Sequence, residues 1–311
     1  MRIIFLFLFG FCLLLNPMQC ELSIDNGYSW HINQGDDNWL TKGDHFYRLG
    51  NYIDAIQCYN EVIKNNNHRQ LCSARNHLGD AFYRLGQYEN ALESYIASYN
   101  CAEDQWAEAG ASKLSIEAKE DLAIALLALE RYSDALVMFQ NYTNEIDNKN
   151  PDAWHGYALA LYKLGRTQES LTSYNVSLKL NSSDASIWKD KGDVLLDMGY
   201  YGDALVCYEK ALQLSSSLAD AWYGKANSLV RLKRYEEALT SFDKCLEIDP
   251  SNIAAWNNKG ASLVEIGRYS DALTCYDESI KKAPNYATPL ANKAEALLFT
   301  GKYIEAMNYS N

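Results

Sequence analysis

The stretch Ala254–Asn285, AAWNNKGASLVEIGRYSDALTCYDESIKKAPN, decides the fold through the place of one residue, Trp256. Trp154, Trp188, Trp222 and Trp256 follow one another at a constant spacing of 34 residues. A single core needs no such regularity. A strict period of this length marks a repeat array, in which each unit buries its apolar face on the next.

Aligned on the tryptophans, the chain divides into eight units beginning near Asp36, Cys72, Ile116, Pro151, Ala185, Ala219, Ile253 and Ala287. Four residues after the tryptophan slot stands a small residue: Gly43, Gly79, Ala123, Ala158, Gly192, Ala226, Gly260 or Ala294. Three places further stands Phe46, Phe82, Leu126, Leu161, Leu195, Leu229, Leu263 or Leu297. These spacings put all three positions on one stripe of a helix, with the small residue letting a second helix approach. Six units then place glycine in a turn, at Gly50, Gly86, Gly165, Gly199, Gly267 and Gly301, as a left-handed helix end requires. A second helix opens on an aromatic residue such as Tyr201 or Tyr235, carries Ala204 or Ala238 three places on, and then a ring such as Tyr208 or Phe242. Asn150 before Pro151 reads as a helix cap with proline in the first helical position.

This set resembles the tetratricopeptide repeat, a helix-turn-helix unit with the pattern W-x-x-L-G-x-x-Y, then A-x-x-x-F, then P. The match runs from residue 36 to 311. The resemblance implies an all-α, right-handed superhelical solenoid of antiparallel helix pairs, with about eight units and the last incomplete. The chain departs from the pattern at the leucine slot, where Lys42, Lys191, Lys225, Lys259 and Lys293 stand. Their methylenes are expected on the neighbouring helix and their ammonium groups in water. The tryptophans are expected in equivalent buried settings between helix pairs. The period breaks between Arg75 and Lys119, where Asn100 to Ser115 reads as a loop with a short helix or as a joint between two sub-arrays.

Residues 1–20 are different in kind. The apolar run Ile3 to Leu15 has the length of a signal-peptide core and falls short of a bilayer span. A signal peptide or signal anchor is expected there, with residues 21–35 as linker. That makes the protein secreted or extracytoplasmic, and touching membrane only through its N-terminal segment. A formal charge of −12 opposes nucleic acid and anionic bilayers as partners. None of the eight cysteines forms a C-x-x-C pair. Cys72 opens a first helix and Cys101 closes a second, ends that antiparallel packing brings together, so the pair reads as a disulfide or as two free thiols. Acceptor triplets for N-linked sugar occur at Asn141, Asn175, Asn181 and Asn308.

The sequence holds no H-E-x-x-H, phosphate loop, nucleophile elbow or EF-hand loop, so no enzyme activity, metal or cofactor is expected. The resemblance places a concave groove along the first helices, where relatives hold peptides or partner helices. Its residues here are Asn76, Asp80, Glu120, Asp121, Asp152, His155, Lys189, Asp193, Asp197, Asn227 and Asn258, with Tyr83, Tyr162 and Tyr223 as packing surfaces. Asn227 and Asn258 match two places of the clamp by which one branch holds a C-terminal carboxylate. Tyr223, Thr288 and Asn292 replace its basic residues, so no such clamp is expected. The expectation is a non-catalytic scaffold that binds a protein or an extended peptide, basic or neutral because the stripe is acidic. The alternative is the substrate-recognition arm of an enzyme whose catalytic domain would lie beyond residue 311.

Overall fold

The structure, a computed structural model, describes residues 37–65, 70–106, 113–143 and 149–308; the N-terminal signal and linker expected at 1–35 lie outside them. Sixteen helices and no strand occur among the described residues. They run in pairs: α1 (Asp37–Arg48) with α2 (Tyr52–Lys64), α3 (Leu71–Arg84) with α4 (Tyr88–Trp106), α5 (Lys113–Ala128) with α6 (Tyr132–Asn141), and α7 (Pro151–Lys163) with α8 (Thr167–Leu180). The series continues with α9 (Ala185–Asp197) and α10 (Tyr201–Leu214), α11 (Ala219–Arg231) and α12 (Tyr235–Ile248), α13 (Ile253–Glu265) and α14 (Tyr269–Lys282), and α15 (Ala287–Phe299) and α16 (Tyr303–Met307).

Local chemistry sets each boundary. Asn150 caps α7 by accepting from the backbone N–H groups of Asp152 and Ala153, and Asp184 and Asn252 cap α9 and α13 in the same manner. The six turn glycines take φ between 72° and 81°. The residue after each bonds back to the carbonyl of the Leu or Phe slot, as Tyr200 does to Leu195 at 2.8 Å. In the two units without that glycine, Glu130 and Lys233 take the left-handed conformation instead.

Each first helix touches the second helix of its own pair, the second helix before it and the next first helix, whereas no described second helix touches the next second helix. The stack is therefore tighter along the first helices, which form its concave side. The period break leaves this arrangement intact. Helix α4 extends through Trp106, residues 107–112 lie outside the described set, and α5 still packs on α4 and α3. One core cluster runs from Tyr95 through Leu126 and Phe139 to Leu161, so apolar packing continues from one side of the break to the other. Cys72 and Cys101 are disulfide-bonded, with their Cα atoms 5.5 Å apart.

The deepest residues are the rings of the second helices. Tyr59, Tyr174, Tyr208, Tyr276, Phe139 and Phe242 are almost wholly buried. Tyr208 shows why: a Cβ on Gly192 of its own unit would lie 2.9 Å from the ring, and one on Gly224 of the next unit would lie closer still. The tryptophans do not share that depth. Trp188, Trp222 and Trp256 occupy equivalent places but are half-buried, and each indole N–H donates to the carbonyl six residues earlier, at Ser182, Ser216 and Pro250. Each indole N–H finds its acceptor in the connection at the edge of the stack, whereas the second-helix rings are enclosed between units, where the Tyr59 and Tyr208 hydroxyls reach carboxylates of the first helices.

The lysines also differ from expectation. Lys191, Lys225 and Lys259 hold their ammonium groups 5.4–5.5 Å from the centres of Trp188, Trp222 and Trp256. Lys225, Lys259 and Lys293 also pair with Glu209, Asp243 and Asp277 on the preceding second helix, at 3.1, 2.5 and 2.5 Å. Their charge ties one unit to the next and is not left to water alone. The remaining described cysteines, Cys58, Cys207, Cys245 and Cys275, are buried free thiols, and burial pushes Cys245 and Cys275 up to about 11.

Candidate functional site

The polar residues of the first helices form three groups along the concave side. In the first, the Tyr59 hydroxyl donates to Asp44 at 3.0 Å and His77 Nδ1 lies 2.8 Å from the same oxygen. Tyr95 donates to Asp80 at 2.9 Å, Asn76 Nδ2 to Asp121 at 2.9 Å, and Asn150 Nδ2 to Glu120 at 2.9 Å. Asn76 is itself buried, and Tyr83 packs on Tyr88 with ring centres 5.2 Å apart. These expected groove residues are thus held by partners inside the chain. Asp152 stands exposed in the first turn of α7.

The second group centres on Asp190, which the sequence reading did not single out. Its carboxylate lies 2.7 Å from His155 Nε2 and 2.7 Å from Lys189 Nζ. Burial alone would raise the Asp190 carboxyl, but the bonds from His155 and Lys189 outweigh it and hold the group below the usual range. Lys189 also pairs with Asp193 at 3.1 Å, and Asp193 accepts the Tyr208 hydroxyl at 2.7 Å. At Asp193 burial prevails over those partners and pushes the carboxyl up. Tyr162 donates to the exposed Asp197.

The third group is built of amides. Asn258 Nδ2 donates to Asn227 Oδ1 at 3.0 Å and to the Tyr223 hydroxyl at 3.1 Å. Asn257 Nδ2 donates to Asn258 Oδ1 at 3.2 Å, and Asn292 Nδ2 to Asn257 Oδ1 at 3.0 Å. This chain of side chains crosses from α11 to α15 and orients Asn227 and Tyr223. In front of it lies a cleft of about 520 Å³ lined by Leu196, Asp197, Tyr201, Tyr223, Asn227, Val230, Arg231, Asn258 and Ala261. That volume falls in the usual range for ligand sites, about 300–1,000 Å³.

Four expected site residues therefore meet at one place: Asp197, Tyr223, Asn227 and Asn258. The others sit on α3, α5, α7 and α9 and do not line the cleft. Leu196, Tyr201, Val230, Arg231 and Ala261 were missed as lining residues, Tyr201 because its slot had been assigned to helix packing. The position two places after the tryptophan slot, shared by Asp121, Asp190 and Asn258, was the available signal for Asp190.

Comparison with known proteins bears on the repeat and the fold. The tetratricopeptide repeat signature matches residues 40–105 and 120–185, and related signatures of the same repeat match 192–233, 219–252 and 241–274. No curated protein matches the sequence. Among solved structures, pilF of Pseudomonas aeruginosa superposes with a TM-score of 0.57 at 18% identity, over 62% of this chain and 88% of its own. A tetratricopeptide repeat protein of Parabacteroides merdae gives 0.56 at 16% identity, over 76% and 90%. MamA of Desulfovibrio magneticus gives 0.50 at 20%, over 54% and 94%. At such identities the likeness is one of fold. With the repeat matched on both sides of the period break and its helix pairs stacked without interruption, the chain belongs to the tetratricopeptide-repeat family.

Proposed function

We propose that the chain is a non-catalytic, extracytoplasmic scaffold that holds an extended segment of another protein along its concave side. The cleft between α9, α11 and α13 is its principal contact. The observation that carries this reading is the cleft itself, where an oriented amide and phenol share the lining with Tyr201, Leu196 and Val230 and with one charge of each sign, Asp197 and Arg231. Asn227 Oδ1 is occupied by Asn258, which leaves its Nδ2 to donate outward, and the Tyr223 hydroxyl, accepting from Asn258, keeps its own proton to give. Donors so fixed suit the carbonyls that an extended backbone presents, while Tyr201, Leu196 and Val230 take a side chain.

The charge of the groove supports a neutral or basic segment. Asp80, Glu120, Asp121, Asp193 and Asp197 each accept a bond within the chain, and Asp193 is also paired with Lys189, while Asp152 and Asp197 stand exposed on this side. They remain able to draw a cation from solution and to repel acidic chains. Placement outside the cytoplasm is supported by the apolar N-terminal run and by the Cys72–Cys101 disulfide, since such bonds persist in oxidising compartments. Peptides selected from a randomised library by the full chain test the reading. Lysine-rich sequences are expected to be enriched and their association at low salt to slow when Asp193 and Asp197 become Asn; enrichment of acidic sequences would overturn the charge assignment.

A further inference from the structure

Three of the four acceptor triplets for N-linked sugar can be compared in full, and their geometries differ. Asn141 ends α6, and Thr143 is buried with its hydroxyl donating to the Gln140 carbonyl at 3.2 Å. Asn175 lies exposed within α8, whereas Ser177 is fully buried and donates to the Pro151 carbonyl at 2.7 Å. Side chains two apart on a helix face away from each other, so neither hydroxyl reaches its asparagine. The third member of the Asn308 triplet, Ser310, is outside the described residues.

Asn181 is arranged otherwise. It stands in the connection between α8 and α9, and its Oδ1 accepts both the Ser183 N–H at 3.0 Å and the Ser183 hydroxyl at 2.7 Å. Ser183 is exposed, and Asn181 Nδ2 donates to no group among the described residues. Two donors on the amide oxygen draw electron density from it, and the nitrogen of this half-buried side chain keeps both its protons. The same turn recurs two units on, where Asp249 Oδ1 accepts from Ser251 N–H at 3.0 Å and from its hydroxyl at 2.5 Å. The fold thus asks only for an acceptor oxygen in this slot, and the amide nitrogen of Asn181 has no structural duty.

We propose that Asn181 is an N-glycosylation acceptor, an assignment that rests on the export reading above. The donor is an oligosaccharide carried on a lipid phosphate or pyrophosphate. The bond between its anomeric carbon and the phosphate oxygen breaks as the bond from that carbon to Asn181 Nδ2 forms. The lipid phosphate leaves with the electron pair, and one amide proton passes to a base of the transferase. The sugar would not obstruct the groove: Asn181 precedes α9, and the cleft begins at its far end with Leu196 and Asp197, about 18 Å along the axis.

The test is glycopeptide mapping of the full chain recovered from the medium and envelope of its own cells. One glycan is expected on the peptide that contains Asn181, lost in Asn181→Asp and in Ser183→Ala and retained in Ser183→Thr. Asn181→Asp should keep the melting temperature of the unglycosylated chain, because Asp249 already makes the same turn. An exported chain with a bare Asn181, or sugar only at Asn141 or Asn175, overturns the assignment. A chain found only in the cytoplasm overturns the export reading and the assignment with it, so the compartment of recovery separates the two failures.

Discussion

The hydroxyl of Tyr208, whose ring fills the space between two repeats, donates to Asp193 Oδ1 at 2.7 Å, so a core residue fixes a carboxylate of the groove. The same link joins Tyr59 to Asp44 and Tyr95 to Asp80. It fails in the fourth unit, where Leu159 replaces the aspartate and the buried Tyr174 hydroxyl has no hydrogen-bond partner among the described residues. Two substitutions at one slot should therefore act in opposite directions. Tyr208→Phe removes a bond to a charged group and should cost about 2 kcal/mol. Tyr174→Phe removes only an unsatisfied hydroxyl and should be neutral or stabilising by about 1 kcal/mol. Urea unfolding of the two variants measures the difference, and equal losses would contradict the pairing.

Lys233 sits at φ 59° where six other units have glycine. A left-handed residue with a Cβ is strained by about 1–2 kcal/mol, part of which glycine returns to the unfolded chain as entropy. Lys233→Gly should raise stability by about 0.5–1 kcal/mol, and Gly267→Ala should lower it by at least as much. Denaturant midpoints report both.

Against the cost of burial, His155 and Lys189 hold the Asp190 carboxyl below the ordinary range. A depressed folded-state value contributes stability that is complete above the unfolded carboxylate value, about 4, and is lost as pH falls through the lower folded value. Asp190→Asn should cost about 2 kcal/mol at pH 7 and progressively less below pH 4, as the wild-type protein loses the same contribution. Asp193, pushed up by burial, acts in the opposite sense and should steepen no part of this acid limb. Melting curves of both chains at neutral and acid pH would show the gap closing; a constant gap would contradict it.

The Cys72–Cys101 bond closes a loop with a sequence separation of 29 residues beside the break in the repeat period. Chain-entropy arguments put the effect of such a crosslink at about 3–4 kcal/mol. Replacing both cysteines by alanine should lower stability by that order, and a reducing agent should destabilise the wild-type protein but not the double variant.

The sequence displayed the fold wherever a slot recurs. The turn glycines, the small residues facing the rings and the proline-led start of α7 could all be placed from spacing, because eight copies of one local problem share one answer. Depth was less legible: Trp and Tyr slots recur equally, and only the packing of Tyr208 between Gly192 and Gly224 shows which ring lies inside. The groove was legible as a list of first-helix positions but not as a site. Its contacts join neighbouring units at a separation of 35 residues, as in His155 with Asp190, Tyr162 with Asp197, Tyr223 with Asn258 and Asn257 with Asn292. That offset, one repeat and one residue, comes from how successive first helices lie against each other, which spacing within one unit does not reveal.

The central claim is that an extended protein segment lies in the cleft against Tyr223 and Asn227. Calorimetric titration of a selected peptide into the wild-type chain, Tyr223→Ala and Asn227→Ala measures it most directly. The account predicts at least a tenfold loss of affinity in each variant, equivalent to about 1.4 kcal/mol, with the helical content unchanged. Unaltered affinity in both would place the partner elsewhere on the molecule and contradict the account.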